Sequence, residues 1–153
     1  MTSSPLFDFA LDSFRLSHEL FFQGGPKLRF SVVLLDNCVE LCLKELVRHK
    51  GGKIFDKSAK SISYYDAIGL ITKTYKIPLP EETNFDILHH TRNDIQHKGA
   101  EVNEIQVEFF LNEVFQFLQR LDVEFLKIDL DNKLGEKFTK YFGKPKKKKR
   151  VSR

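Results

Sequence analysis

The sequence predicts an all-α fold: an antiparallel bundle of about five helices, followed by a disordered basic tail. Three observations point there. Only five Pro and eight Gly are spread over 153 residues, so long stretches are free to form helices. Apolar residues recur at three- and four-residue spacing rather than in alternation. The stretches between the long periodic segments are short, which suits antiparallel neighbours.

The first helix is expected from about Pro5 to Phe22, with Leu6, Phe9, Phe14, Leu16, Leu20 and Phe21 as its apolar members. Ser3 or Ser4 stands at the capping position with Pro5 behind it, and Gln23-Gly24-Gly25-Pro26 stops it. The second, from about Pro26 to Lys50, is apolar nearly all round, as a central helix is. Its polar exceptions Asp36, Glu40 and Lys44 fall in one row at four-residue spacing. A Lys/Ser/Gly loop follows over 51–62. The third helix runs from about Ser63 to Lys76, where Pro78 and Pro80 end it. Thr83 or Asn84 is the expected cap of the fourth, which stops at Gly99. The fifth spans about Val102 to Leu126, and a further short helix is expected around 134–142.

The chain divides into a bundle, 1–143, and a tail, 144–153. The tail carries seven of the 25 basic residues and no acid. Without it the body has 18 basic against 21 acidic residues, a net of −3 in place of +4. A field for a polyanion must come from the tail or from a local patch. Lys144-Pro145-Lys146-Lys147-Lys148-Lys149-Arg150 reads equally as a nuclear localisation signal, a nonspecific RNA-binding arm or a solubilising tail. The compartment follows: cytoplasmic, or nuclear if the source is eukaryotic or viral. Asp8, Asp12 and Arg15 interrupt the first apolar stretch, so it has no signal-peptide pattern. Acids within the second helix exclude a membrane span. Cys38 and Cys42 share a helix face without further ligands at zinc spacing. They read as small buried residues in a reducing compartment, and neither a metal nor any other cofactor is expected.

The chemistry concentrates in the fourth helix. At about 100° per residue, Ile87, Leu88, Thr91 and Ile95 gather on a side expected to face the core. His89, Arg92, Asn93, Gln96 and His97 gather on the far side. Arginine suits phosphoryl oxygens through its fixed, permanently charged fork. Histidine suits proton transfer near neutral pH, and His97 lies in the last turn, where the helix dipole favours its charged form. RNA brings its own nucleophile, the 2′-hydroxyl, so Arg92, His97 and Asn93 form a candidate metal-free site for phosphodiester cleavage, with Gln96 beside them. Lys98 and Lys146, Lys147, Lys148, Lys149 and Arg150 are candidate RNA contacts. The blander reading makes Arg92 and His97 ordinary cations at a helix C-terminus. The Asp36–Glu40–Lys44 row likewise reads as a structural ion-pair stripe. His89 and His90 read as surface or satisfied histidines.

Arg92-Asn93-Asp94-Ile95-Gln96-His97 resembles the signature of HEPN proteins: Arg, a polar residue often Asn, and His after four intervening residues. The Gly-Pro break before a long apolar helix and the stretch Leu35-Asp36-Asn37-Cys38-Val39-Glu40-Leu41 with Lys44 extend the likeness over about residues 5–126. The resemblance implies a helical bundle that acts as a metal-independent endoribonuclease, in a toxin or antiviral-defence role, leaving a 2′,3′-cyclic phosphate. It implies Asp36 or Glu40 as the acid that orients Arg92 or His97. Independently of it, one outward-facing patch per chain is thin for acid, base and anion stabiliser together, so a twofold homodimer whose two protomers share the site is expected. Some HEPN proteins are non-catalytic binding or regulatory modules, and a regulatory protein partner is expected of those. The toxins silenced by nucleotidylation carry a Tyr two positions after the His. Gly99 stands there in this chain, so that control is not expected.

Overall fold

The computed structural model describes residues 4–142. It is all-helical as expected: α1 (Pro5–Gln23), α2 (Lys27–His49), α3 (Tyr64–Gly69), α4 (Glu82–Lys98), α5 (Glu104–Leu121), α6 (Leu130–Leu134) and α7 (Glu136–Phe142). Two single π turns, Leu70–Thr74 and Asp122–Leu126, continue α3 and α5 to the lengths anticipated for them. Besides helices, turns and loops, the described residues hold one isolated antiparallel bridge, between Phe55 and Ser61. Among the described residues no helix is long and apolar enough to cross a membrane.

The helix ends follow local chemistry. Ser4 caps α1 by accepting from the Phe7 amide at 3.2 Å, with Pro5 supplying a preset φ behind it. Ser63 and Asp66 form a reciprocal capping box on α3, and Asn103 and Gln106 form another on α5. α4 departs from expectation. It begins at Glu82 after Glu81, without a side-chain cap, so neither Thr83 nor Asn84 serves. Glu81 is instead buried and ion-paired to Arg120 of α5. Gly99 ends α4 in the left-handed region (φ 64°), which a side chain would strain.

α2 is the axis, packed against α1, α3, α4 and α5. Its nearly all-round apolar sequence follows from that: Val32, Leu35, Cys38, Val39, Cys42, Leu43 and Val47 are all fully buried. α1 lies antiparallel to α2, locked by Ser17 and Ser31 hydroxyls 2.8 Å apart and by Asn37 Nδ2 donating to Ser13 Oγ at 2.9 Å. The two thiols are free, and burial pushes that of Cys42 well up.

α6 and α7 close the far side of α1. The Arg15 guanidinium donates to the Leu134 carbonyl (3.3 Å) and to that of Lys133. Phe14 meets Phe142 at 5.5 Å, and Phe115 stacks on Phe142 at 4.7 Å. Asp122 turns the chain there, accepting from the amides of Ile128 (2.8 Å) and Leu130 (3.0 Å). His18 is enclosed in this aromatic layer, 2% exposed, with Phe22, Phe138, Tyr141 and Phe142 around its ring. Neither ring nitrogen has a hydrogen-bond partner among the described residues.

Candidate active site

The centre of the site is Asp36, a carboxylate in the middle of the mainly apolar central helix. It is 2% exposed. A buried charge of this kind requires donors, and α4 supplies two. Arg92 Nε donates to Asp36 Oδ2 at 3.0 Å. His89 Nδ1 lies 3.2 and 3.1 Å from the two carboxylate oxygens. An ionised carboxylate only accepts, so this contact requires the hydrogen on Nδ1. Burial raises the Asp36 carboxyl above the ordinary carboxylate range. The charges and hydrogen bonds of His89 and Arg92 pull it back without cancelling that effect.

His89 and Arg92 stand three residues apart, so one face of α4 presents both to α2. The His89 ring is fixed from a third element. Tyr64 of α3 stacks on it at 4.4 Å between centroids with planes 10° apart, and Tyr65 meets it edge-on at 5.6 Å. The Tyr64 hydroxyl donates to Asp86 Oδ1 at 2.9 Å, and burial together with this bond raises its pKa.

Arg92 is itself held at two points. Besides Nε on Asp36, Nη1 donates to Gln96 Oε1 at 2.6 Å, one turn on. Arg92 and Gln96 line one wall of a shallow cleft of about 170 Å³, opposite Val33, Asp36, Asn37 and Glu40 of α2. Glu40 does not reach Arg92. It pairs with Lys44 at 3.0 Å, and Lys44 Nζ also donates to Ser61 Oγ at 2.9 Å. The row on α2 therefore divides: Asp36 serves the site, while Glu40 and Lys44 tie α2 to the following loop.

The far-side grouping on α4 needs correction. His89 is buried against α2 rather than turned outward, and Ile87, expected in the core, is 49% exposed. Leu88 is buried as expected and Ile95 packs against the core, but Phe85 takes the place expected of Ile87, and the buried Asp36 lies within reach of the same helix. Arg92, Gln96 and His89 come together. Asn93 is half-buried and His97 exposed, further round the helix. The histidine brought to Asp36 is His89, not His97. Lys98 is exposed and lies 3.6 Å from Asp94. Lys146, Lys147, Lys148, Lys149 and Arg150 lie outside the described residues, as does residue 143, where the bundle was expected to end.

Sequence reasoning left His89 among the surface or satisfied histidines and gave no role to Tyr64. The available signal was Asp36 itself: an acid within a mainly apolar central helix needs donors, and His89 and Arg92 stand three residues apart on one late helix. Among the described residues no group of three or more His, Cys, Asp or Glu is placed to hold a metal ion. Compared with protein-family models, with curated proteins and with solved structures, the chain matches none.

Proposed function

We infer that the chain is a HEPN-type endoribonuclease that cleaves RNA by attack of the ribose 2′-hydroxyl on the adjacent phosphodiester, in a toxin or antiviral-defence role. One observation carries this reading: Arg92 is a cleft-lining guanidinium preset by a buried carboxylate. Nε is committed to Asp36 and Nη1 to Gln96, which leaves Nη2 to meet a phosphoryl oxygen without a further loss of side-chain freedom. Such a fork stabilises the charge that develops on the phosphorane. His97, exposed on the last turn of α4, is the proton-transfer group, and Asn93 one turn before it orients substrate or histidine.

One chain offers one Arg92 and one His97, in a cleft that is open on one side. A twofold dimer facing cleft to cleft supplies two of each. Its support is apolar surface beside the cleft. Phe9 and Leu16, 55% and 46% exposed, flank Ser13 on α1, which bonds Asn37 of the cleft wall. Phe30, 61% exposed, sits one turn before Val33 on α2.

The second reading is a non-catalytic HEPN-like module that binds RNA or a regulatory protein partner. The observation favouring it is that exposed His97 is not among the partners of the Asp36–Arg92 pair, which is already held by Gln96.

A gel of end-labelled RNA with purified protein, with and without EDTA, tests the first reading. Cleavage that persists in EDTA and disappears in both Arg92→Ala and His97→Ala is the expected result. Full activity in His97→Ala overturns the mechanism. RNA binding without turnover selects the second reading. Light scattering at assay concentration is expected to give a dimer, and an active monomer removes the shared site.

A further inference from the structure

Beyond the cleft, the α2–α3 connection is a built hairpin rather than a plain linker. Phe55 and Ser61 pair across it, the Ile62 amide donates to the Ile54 carbonyl at 2.9 Å, and the Asp56 amide donates to the Lys60 carbonyl at 2.8 Å. The tip is wound around Asp56. Its Oδ1 accepts from the Ser58 amide (2.8 Å), the Ser58 hydroxyl (2.7 Å) and the Lys60 amide (3.0 Å), and these bonds lower its pKa. Ile54 is buried and anchors the base of the hairpin.

What the hairpin displays differs from the rest of the surface. The bundle averages a net negative charge, yet Lys50, Lys53, Lys57 and Lys60 fall within one short stretch, all exposed. The single acid among them, Asp56, is occupied by the turn. Between these lysines Phe55 is 57% exposed. An exposed phenyl ring is an unfavourable thing to leave in water, and cations around it are the arrangement by which proteins hold single-stranded nucleic acid: bases stack on the ring while lysines meet phosphates.

Its position joins it to the cleft. Residues opposite each other across an antiparallel bridge place their side chains on the same face. Phe55 is therefore on the face of Ser61, whose hydroxyl holds Lys44 Nζ at 2.9 Å. Lys44 pairs with Glu40, and Glu40 lines the cleft with Arg92. The hairpin is thus tied through Ser61 and Lys44 to Glu40, a residue of the cleft wall opposite Arg92.

We propose that the 53–61 hairpin is a stacking platform for single-stranded RNA, with Phe55 taking one base and Lys53, Lys57 and Lys60 the flanking phosphates of a strand that threads the Arg92 cleft. This rests on RNA being the ligand, and it sets the substrate class as single-stranded. A duplex hides its base faces and has none to give Phe55.

The chain has no Trp, so Phe55→Trp installs a single stacking reporter in the full-length protein. Its fluorescence is followed during titration with a non-cleavable 2′-O-methyl oligoadenylate, the same strand in a duplex, inorganic polyphosphate and polyglutamate. Quenching by the single strand alone is expected. Phe55→Ala is expected to weaken binding of that strand about tenfold, the worth of one stacked base, with Lys57→Glu/Lys60→Glu at least as damaging and more so at low salt. Absence of quenching, equal quenching by duplex, or quenching by polyglutamate, which points to an acidic protein partner, overturns the proposal. The non-cleavable strand separates this from the nuclease reading. Quenching without turnover of ordinary RNA leaves the platform standing and removes the enzyme, whereas turnover without quenching removes only the platform.

Discussion

Asp36 and Arg92 stand 56 residues apart in sequence and 3.0 Å apart in space, Nε on Oδ2, across the interface of α2 and α4. The pair fastens α4 to the central helix and also aims the guanidinium into the cleft. Fold and site therefore depend on the same bond, and substitutions at its two ends separate the two roles.

Asp36→Ala leaves a partly buried guanidinium and the buried His89 without their acceptor. Removing one partner of a buried ion pair costs about 3–5 kcal/mol. Arg92, with 23% of its side chain exposed, recovers some solvation, so about 2–3 kcal/mol is expected by urea denaturation. Asp36→Asn, which keeps an acceptor oxygen, is expected to lose less. A loss below about 0.5 kcal/mol in Asp36→Ala, the size of an ordinary surface change, is inconsistent with this account.

Arg92→Lys keeps the charge but not the fork. One ammonium cannot reach Asp36 and Gln96 and still present a directed donor to phosphate. Stability is expected to change little beside Asp36→Ala, while the rate of RNA cleavage falls at least about tenfold, equivalent to about 1.4 kcal/mol of barrier. A lysine variant that cleaves at the wild-type rate contradicts the preset-fork role.

His18 makes the bundle acid-sensitive. Burial first, and the Lys137 charge second, lower its pKa from 6.5 to about 4. The folded state favours the neutral ring, so this stability is complete above about pH 6.5 and is lost as pH falls toward 4. By pH 5 the loss is about 1–2 kcal/mol. Asp36 acts oppositely, because its raised pKa makes acid protonation favour the folded state. The measurement is therefore a difference: His18→Phe against wild type, urea midpoints at pH 7 and pH 5. The variant is expected to lose less on acidification, and equal losses in both exclude His18 as the sensor. The same acidification loosens α7 first, since Phe138, Tyr141 and Phe142 form the cage.

Gly52→Ala tests the seating of the hairpin. Gly52 donates to the Val47 carbonyl at 2.9 Å, and a Cβ there would fall 2.7 Å from Val47 Cγ1 and nearer still to the Tyr75 hydroxyl. Overpacking of this kind costs about 1–3 kcal/mol. Thermal unfolding is expected to show a lowered Tm with the helical signal intact. A neutral effect means that Tyr75 swings clear and does not hold the loop.

The helices were largely legible in the sequence because their causes are local. Ser4 before Pro5, Gly99 at the end of α4 and the apolar spacing of α2 each act within a turn or two, as do the capping boxes at Ser63 and Asn103 that the structure adds. Where a tertiary contact competed, the local reading failed. α4 begins without Thr83 or Asn84 as its cap, and Glu81 beside its start is drawn to Arg120 on α5. The loop over 51–62 hides a hairpin because its order comes from one bridge and from Asp56 bonds at the tip, with too few residues to show alternation.

By itself the sequence determined that the described chain is helical, that α2 is its centre, and that Arg92 and Gln96 share a row on one late helix. Helical periodicity and backbone capping follow from residue order alone. Only the tertiary structure decided which histidine meets Asp36. A helical wheel gives angles but not the rotation of the helix against its neighbour, and packing of Phe85 and Leu88 into the core set that rotation. It turned His89 inward to the buried acid and left His97 in solvent. A buried carboxylate takes the donors that the packed geometry brings within reach, and sequence spacing cannot measure that reach.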